Sequence, residues 1–332
     1  VLSAGILSLG SAYLTDDRYE LKSELYPANV CYNIALAFQR TAQTRNYHKT
    51  SKDFTFHARS THQADEREVY VMVVGETSRA CNWALYDYER ETNPGLSGIG
   101  GLTAFSHVLT ESNTTHKSVP MLLSPVSASS FDSIYYQKGI ITAFKEAGYQ
   151  TAFFSNQRYN HSFIDFFGKE ADTYDFIKED VGDSNYNPSD DKLLKLVAKE
   201  LGKGVSRQFI VLHTYGSHFN YKERYPAEQA FFLPDMPVDA EVKYKDNLIN
   251  AYDNSIRYTD NFLVRLIDML QKQHVNSALI YTSDHGEDIF DDNRHLFLHA
   301  SPVPSYYQIH VPFFIWMSDN YRQLSLIHIS EP

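Results

Sequence analysis

The chain has 332 residues, of which 43% are hydrophobic and 21% charged, a composition that suits one large folded domain with a sizeable buried core. Its formal net charge of −11 argues against nucleic acid as a partner, because phosphate backbones attract Lys/Arg-rich surfaces. The two cysteines, Cys31 and Cys81, exclude a disulfide framework as the source of stability.

The first 14 residues, Val1 to Leu14, carry no charge and are rich in Leu, Ile, Ala and Gly. They are fewer than the roughly 20 residues that cross a bilayer, and no basic stretch precedes them as in a signal peptide. We interpret 1–14 as the end of a transmembrane helix that starts further upstream; an N-terminal strand or core helix is the alternative. Residues 15–67 are polar and mixed, with a short apolar stretch at Ile34–Phe38, and are interpreted as a juxtamembrane connector.

Five apolar runs predict strands of one sheet. The first, Val69–Val74, is β-branched and ends at Gly75, as in a strand buried on both faces. The others are Thr151–Phe154, Phe209–Leu212, Ala278–Thr282 and Val311–Trp316. Helical segments alternate with them: Gly139–Ala147, a segment capped by Ser189 that contains Leu193–Val197, and Lys243–His274. This alternation predicts an α/β domain over 68–323 with a mostly parallel central sheet, whereas the tail 324–332 fits no element and is of doubtful origin.

Polar side chains follow three of these strands. Glu76 follows the first strand, His213 and His218 follow the third, and Asp284 and His285 follow the fourth. Ligands bind beyond the carboxyl ends of parallel strands, and two carboxylates with an imidazole suit Zn²⁺. The alternatives are a solvated loop glutamate, an Asp–His turn and a histidine satisfied in the core.

A hydroxyl-rich segment, Glu111–Pro120, leads into apolar Met121–Leu123 and is interpreted as a loop that enters a helix. A helix N-terminus offers free N–H groups and the positive end of the helix dipole, which suit a phosphate group. A Thr hydroxyl beside Zn²⁺ at this position would lose its proton more readily and attack phosphorus. The alternative is that Thr114 or Thr115 is only an N-cap.

Several ordered motifs resemble those of the phosphoethanolamine transferases, a family that decorates lipid A and includes the mobile colistin-resistance enzymes. The resemblance covers roughly Tyr26 to Ser318. It is carried by Gly75–Arg79, Tyr88 with Arg90–Pro94, Thr115 with Ser118–Pro120, His213–His218, Asn250–Asn254, Ser283–Glu287 and Leu298–His299.

The resemblance implies an alkaline phosphatase/sulfatase-like α/β/α sandwich and a role for each matching residue. The ligands of a catalytic Zn²⁺ would be Glu76, Thr115, Asp284 and His285, and Thr115 would also be the nucleophile that carries phosphoethanolamine. On the substrate side, His218 and His299 would hold phosphate, act as acid or base, or bind a second zinc ion. The substrate pocket would be lined by Asn113, Asn156, Gln157 and His161.

The resemblance also implies a reaction, in which phosphoethanolamine passes from phosphatidylethanolamine to lipid A or another surface glycan through a phospho-threonine intermediate. The full enzyme is expected to be a membrane-attached monomer of the bacterial inner membrane with its catalytic domain in the periplasm. The acceptor, and with it polymyxin resistance, stays open. The alternatives are a glycerol-phosphate transferase, a phosphodiesterase or other hydrolase of the same superfamily, and an inactive binding domain.

Some positions depart from the family pattern. Glu111 and Met121 stand near where better-known members carry a disulfide, so that brace is absent. Cys81 and Asp87 replace more usual residues in the first motif, and His161 stands about where many members have Lys. We therefore expect the contacts to the headgroup and the acceptor to differ, and the metal site to be kept.

Overall fold

The computed structural model describes residues 26–62, 66–178 and 187–323. These residues form two compact units, one of the chain up to Phe54 with Asp132–Gln137, the other of Thr55–Phe131 with the chain from Lys138 onward. Two predicted segments, 1–14 and 324–332, lie outside the described residues. Within the described ranges, no helix combines the length and the apolar character needed to cross a membrane.

The first unit is built on a 23-residue helix, α1, at Ala28–Thr50. The short apolar stretch Ile34–Phe38 lies within this helix, which extends well beyond it on both sides. No Gly or Pro interrupts 28–50, and Ala, Gln, Arg and Lys favour the helix where the apolar pattern is weak. Within the unit, the Tyr47 hydroxyl donates a hydrogen bond to the carbonyl oxygen of Gln137 at 3.0 Å.

The second unit contains a seven-stranded sheet and a two-stranded hairpin. All five predicted strands are confirmed. The strands are β1 Glu68–Gly75, β2 Leu102–Phe105, β3 Gln150–Ser155, β4 Thr173–Phe176, β5 Arg207–His213, β6 Asn276–Ser283, β7 Asp288–Ile289, β8 Phe297–Leu298 and β9 Phe313–Met317. The large sheet has the order β2-β9-β6-β1-β5-β3-β4; its pairs from β6 to β4 are parallel, and β9 is antiparallel to both β6 and β2. The predicted mostly parallel central sheet is therefore confirmed.

The predicted helical segments of this unit are confirmed, and two short helices, Phe163–Gly168 and Tyr306–Ile309, were not predicted. The helices of the unit are α2 Thr115–Leu122, α3 Ile140–Glu146, α4 Phe163–Gly168, α5 Asp191–Leu201, α6 Lys245–Gln271 and α7 Tyr306–Ile309. The N-cap of α5 is Asp190 and not the predicted Ser189, although the Ser189 hydroxyl accepts the amide of Asp191 at 3.2 Å.

Burial of β1 explains why this strand was the clearest in the sequence. It lies between β5 and β6, and Val69, Val71 and Val73 are at most 2% exposed. Together with apolar side chains of α5 and α6 they form the main hydrophobic cluster. Because removal of apolar surface from water is the largest favourable term in folding, this cluster fixes the register that positions the strand ends.

Candidate metal centre

The register of the three central strands brings the predicted polar residues to one edge of the sheet. Val74 of β1 pairs with His213 of β5, and on the other side Gly75 pairs with Ser283 of β6. The acid Glu76 directly follows β1, and the acid Asp284 directly follows β6. The two acids therefore leave adjacent strands at the same level.

Glu76, Asp284 and His285 form a cluster that could hold a metal ion. One potential ligand atom from each of them lies within 4.8 Å of those of the other two, and all three residues are buried. The Nε2 of His285 is 3.3 Å from Oδ2 of Asp284 and 3.6 Å from Oε1 of Glu76. The Nδ1 of His285 lies 2.8 Å from the carbonyl oxygen of Gly286, which assigns the ring proton to Nδ1 and leaves the Nε2 lone pair facing the carboxylates.

Backbone and side-chain donors fix the two carboxylates. The amides of Thr77 and His285 donate to Oδ1 of Asp284 at 3.0 and 2.7 Å. Gln157 donates to Oε2 of Glu76 at 3.2 Å. The other oxygen of Asp284, Oδ2, is buried and has no hydrogen-bond partner among the described residues. A buried carboxylate oxygen without a donor indicates that a cation belongs beside it.

The Thr115 hydroxyl completes the cluster from a different element. Thr115 is the first residue of α2, and its Oγ1 lies 3.1 Å from Oε1 of Glu76 and 3.1 Å from Nε2 of His285. The N-cap residue is Thr114, which makes no side-chain capping bond. The Thr115 hydroxyl is thus directed at the acidic cluster, and the interpretation of Thr115 as a simple N-cap is wrong.

The charges of this centre fit a divalent cation. Burial raises the pKa of Glu76 well above its usual value, and the nearby charge of Asp284 raises it further. Burial lowers the pKa of His285, so the imidazole is neutral at pH 7, as a metal ligand must be. Within the described residues no Lys or Arg pairs with either carboxylate. Two acids and a neutral imidazole without a cationic partner are the donor set that Zn²⁺ accepts.

Three further histidines surround the centre. The ring centroid of His299 is 4.2 Å from that of His285 and 6.3 Å from that of His218. Nδ1 of His299 also lies 3.7 Å from the fully buried carboxylate of Glu287, whose pKa is raised by burial. His213 is buried beside Glu76, and burial lowers its pKa to about 4. The predicted pair His218 and His299 therefore lies close to the cluster of Glu76, Asp284 and His285.

The remaining predicted site residues are placed differently. Asn113 donates to Oε1 of Gln308 and to the carbonyl oxygen of Ser301, so its amide joins two loops. Asn156 is buried and donates to Asp190 in a neighbouring cavity. His161 has a positive φ of 60°, and its ring packs edge-on against Tyr159 with centroids 4.5 Å apart.

A cavity of about 230 Å³ opens beside Thr115, and several of its lining residues were missed by sequence reasoning. Gln157, His213 and His218 line it together with the unpredicted Arg158, Tyr215 and Lys178. Arg158 and Tyr215 follow β3 and β5, so the rule that ligands bind at strand ends could have found them. Lys178 follows β4, a short edge strand that the apolar pattern did not reveal.

Comparison with known proteins identifies the family of this chain. A family model described as Sulfatase matches residues 68–332. Kdo(2)-lipid A phosphoethanolamine 7''-transferase of Escherichia coli (strain K12) is 31% identical over 282 residues, which are 82% of this chain and 48% of the relative. Phosphatidylethanolamine transferase Mcr-1 of Escherichia coli is 32% identical over 295 residues, 81% and 53% of the two chains. The chain spans about half the length of the curated relatives it matches.

Solved structures agree with the sequence comparison. The C-terminal periplasmic domain of EcEptC from Escherichia coli, in complex with Zn, superposes with a TM-score of 0.72 at 25% identity, over 79% of this chain and 76% of that chain. The integral membrane protein lipooligosaccharide phosphoethanolamine transferase A from Neisseria meningitidis gives a TM-score of 0.78 at 25% identity, over 97% and 60% of the two chains. The family match covers well over half of the residues, so this chain belongs to the sulfatase family, and within it the chain resembles the phosphoethanolamine transferases.

Proposed function

We propose that this chain carries the catalytic domain of a zinc-dependent phosphoethanolamine transferase. The single observation that carries the proposal is the position of the Thr115 hydroxyl, 3.1 Å from both Glu76 and His285 at a buried acidic cluster. A zinc ion at this site would be held by Glu76, Asp284, His285 and the Thr115 hydroxyl. When bound, zinc would neutralise charge on a phosphoryl oxygen and favour the deprotonated hydroxyl.

The reaction proceeds by two displacements at phosphorus. Oγ1 of Thr115 attacks the phosphate of phosphatidylethanolamine, the bond from phosphorus to the diacylglycerol oxygen breaks, and diacylglycerol leaves with a proton. A hydroxyl oxygen of lipid A or of another surface glycan, or an oxygen of its phosphate, then attacks the same phosphorus, the bond from phosphorus to Oγ1 of Thr115 breaks, and Oγ1 takes up a proton from the acceptor or from solvent. Thr115 is the first residue of α2, and the positive end of the helix dipole there would stabilise the phosphoryl oxygens.

Proton transfer is assigned to the two histidines beside the cluster. Nδ1 of His218 lies 2.6 Å from the carbonyl oxygen of Phe219, so Nε2 is left to accept a proton. Burial lowers the pKa of His218, which favours this neutral form. His299 is the candidate donor to the leaving oxygen, because its side chain is 23% exposed and its ring centroid lies 4.2 Å from that of His285.

The membrane setting is proposed from the relatives. The solved zinc complex is described as a periplasmic domain, and the Neisseria protein as an integral membrane protein. By analogy, the full-length protein lies in a bacterial inner membrane, with residues 15–67 linking the membrane part to a catalytic domain at 68–323 in the periplasm. This location gives access both to the lipid donor and to lipid A.

Peptide mass spectrometry tests the proposal directly. Zinc-loaded protein incubated with phosphatidylethanolamine is expected to carry phosphoethanolamine on Thr115, and Thr115→Ala is expected to carry none. Thr114→Ala is the matched control, because that hydroxyl contacts Ser112 and not the acidic cluster. If Thr115→Ala still carries phosphoethanolamine, the proposal is wrong. A glycerol-phosphate adduct on Thr115 would instead identify the chain as a glycerol-phosphate transferase.

A further inference from the structure

One residue that lines the Thr115 cavity, Lys178, makes no ion pair with the described residues. Lys178 follows β4 and is only 4% exposed. In the part of the chain that the structure describes, its ammonium group makes no hydrogen bond or ion pair, and it contacts the ring of Tyr215, whose centroid is 2.9 Å from Nζ. Burial without an opposite charge disfavours the ammonium form of a lysine, and an anion bound beside Nζ would stabilise that form.

Two arginines make the surroundings of Lys178 more positive. Arg158 lines the same cavity, and the guanidinium carbon of Arg224 lies 4.2 Å from the centroid of the Tyr215 ring. Burial, together with these two positive charges, lowers the pKa of Lys178 to about 7. An anion placed in the cavity would relieve this repulsion.

The acids that face Lys178 are already engaged by other donors. Asp190 accepts hydrogen bonds from the amides of Tyr215 and Gly216 at 2.8 and 3.0 Å. Asp165 accepts the amides of Asn160 and Ser162 at 2.8 and 3.1 Å. The third acid, Glu76, belongs to the metal cluster. None of them makes an ion pair with the lysine among the described residues.

A purely structural role for Lys178 would be its contact with Tyr215. An aromatic face attracts an ammonium group, but it leaves the N–H donors of that group without acceptor oxygens. The donors of Lys178 border a cavity that also holds the candidate nucleophile Thr115. The cation–π contact therefore holds the ammonium in place and leaves it able to bind an anion.

We propose that Lys178 and Arg158, with Arg224 behind the Tyr215 ring, form an anion subsite of the Thr115 cavity that binds a phosphate group. This inference rests on the proposed function only for the source of the phosphate. That source is either the headgroup of the donor lipid or a sugar phosphate of the acceptor. Lys178 and Arg158 both line this cavity, whereas His161 is not among its lining residues.

Calorimetric titration with inorganic phosphate tests the subsite on zinc-loaded protein. Lys178→Met is expected to weaken phosphate binding by at least about tenfold, because a charge-assisted hydrogen bond is lost. Lys178→Arg is expected to bind within about threefold of the wild type, since the charge is kept. Lys169→Met is the matched control, because Lys169 contacts the ring of Tyr159 at 3.9 Å on the surface.

Kinetic measurements separate the two sources of the phosphate. If the donor headgroup occupies the subsite, Lys178→Met raises the KM for a soluble nitrophenyl ester of phosphoethanolamine. If the acceptor phosphate occupies it, that half-reaction is unchanged, whereas transfer to lipid A falls and transfer to dephosphorylated lipid A does not. Either pattern supports the subsite.

The result that would overturn the inference is a folded, zinc-loaded Lys178→Met protein that binds phosphate as tightly as the wild type. If this variant fails to fold, acylation of Lys178 in the wild-type protein decides, because saturating phosphate must slow the labelling of that residue. Undiminished labelling would also overturn the inference. Formation of the Thr115 adduct is measured separately, so a failure of the subsite is distinguishable from a failure of the transferase proposal.

Discussion

Gly216 lies directly against the backbone of Glu76. A Cβ atom added to Gly216 would come within 2.7 Å of the carbonyl oxygen of Glu76 and within 2.9 Å of its amide nitrogen. The φ of Gly216 is +47°, in the left-handed region that residues with a side chain rarely adopt. The next residue, Ser217, donates its amide to the same carbonyl oxygen at 3.0 Å. The loop after β5 thus holds the backbone that carries a candidate metal ligand.

Gly216→Ala is therefore expected to damage the metal centre. Strain and the clash together should lower the free energy of unfolding by about 2–3 kcal/mol, and displacement of Glu76 should reduce bound zinc. Gly204→Ala is the control, because Gly204 also has a positive φ, +65°, but faces open space. It should lose about 1 kcal/mol and keep its zinc. Urea unfolding and elemental analysis measure both effects; equal zinc contents in the two variants would contradict the prediction.

Removal of zinc is expected to destabilise the wild-type protein. A ligand present at about 100 times its Kd contributes about 2.7 kcal/mol to the folded state, so a chelator should lower the Tm. Glu76→Gln should not respond to the chelator, because a ligand is missing. In the chelated state this variant should be at least as stable as the wild type, since it no longer buries two neighbouring carboxylates.

Thermal unfolding with and without chelator measures this response. Glu228→Gln, which changes an exposed acid in the turn Ala227–Gln229, is the matched control and should respond like the wild type. If neither zinc nor chelator changes the Tm of the wild type, no metal ion bound at the acidic cluster stabilises the fold.

The ends of the buried strands could be predicted because burial leaves a simple signal. Runs such as Val69–Val74 are apolar along their whole length, and the polar residue after each run, Glu76 or Asp284, must then lie at the sheet edge. Their convergence depended on the order of the strands, which periodicity alone does not give. The rule that ligands bind beyond the carboxyl ends of parallel strands predicted a common edge, and the pairing of β1 with β5 and β6 supplies the order that brings these residues together.

Edge strands and polar contacts could not be predicted in the same way. β2 and β4 have four residues each and are partly exposed, so their apolar pattern is weak. Lys178 was not predicted because β4, which it follows, was not predicted. The length of α1 was not predicted because its many polar residues leave no clear helical period of apolar positions. Contacts such as that between Asn113 and Gln308 join residues 195 positions apart, and no local pattern encodes them.

Gln308 links the segment before α2, which carries Asn113, to the loop that carries His299. Its side chain is fully buried, accepts the amide of Asn113 at 2.6 Å and donates to Ser301 and Asp288 at 2.7 and 2.5 Å. The amide of Ala300 in turn donates to the carbonyl oxygen of Asn113 at 3.2 Å.

Gln308→Met should lower the free energy of unfolding by about 2–3 kcal/mol, because it leaves several buried polar groups without partners. The substitution removes no side-chain contact of the acidic cluster, so zinc content should be unchanged while kcat/KM for a soluble phosphoethanolamine ester falls. Gln229→Met, an exposed change, is the control. Loss of zinc in step with activity would instead place Gln308 among the supports of the metal cluster.

Asp253 gives stability a dependence on pH. Its carboxylate is fully buried in α6 and accepts Asn82 at 2.7 Å and Tyr88 at 2.9 Å, with Arg90 at 2.6 Å. Burial raises its pKa to about 6 in spite of these partners, from an ordinary value of 3.8. The folded protein therefore binds this proton more tightly than the unfolded chain does.

Because the folded pKa is the higher one, the contribution of Asp253 to stability is full below about pH 4 and is lost as the pH rises through 6. A shift of about two units corresponds to about 3 kcal/mol. The free energy of unfolding of the wild type minus that of Asp253→Asn should therefore fall by about 2 kcal/mol between pH 4 and pH 7, because the unfolded carboxyl is already partly ionised at pH 4. Urea unfolding in the presence of chelator measures this difference without the zinc site, and Asp268→Asn, 51% exposed on the same helix, is the control. A difference that is constant across this range would show that Arg90 compensates the buried charge completely.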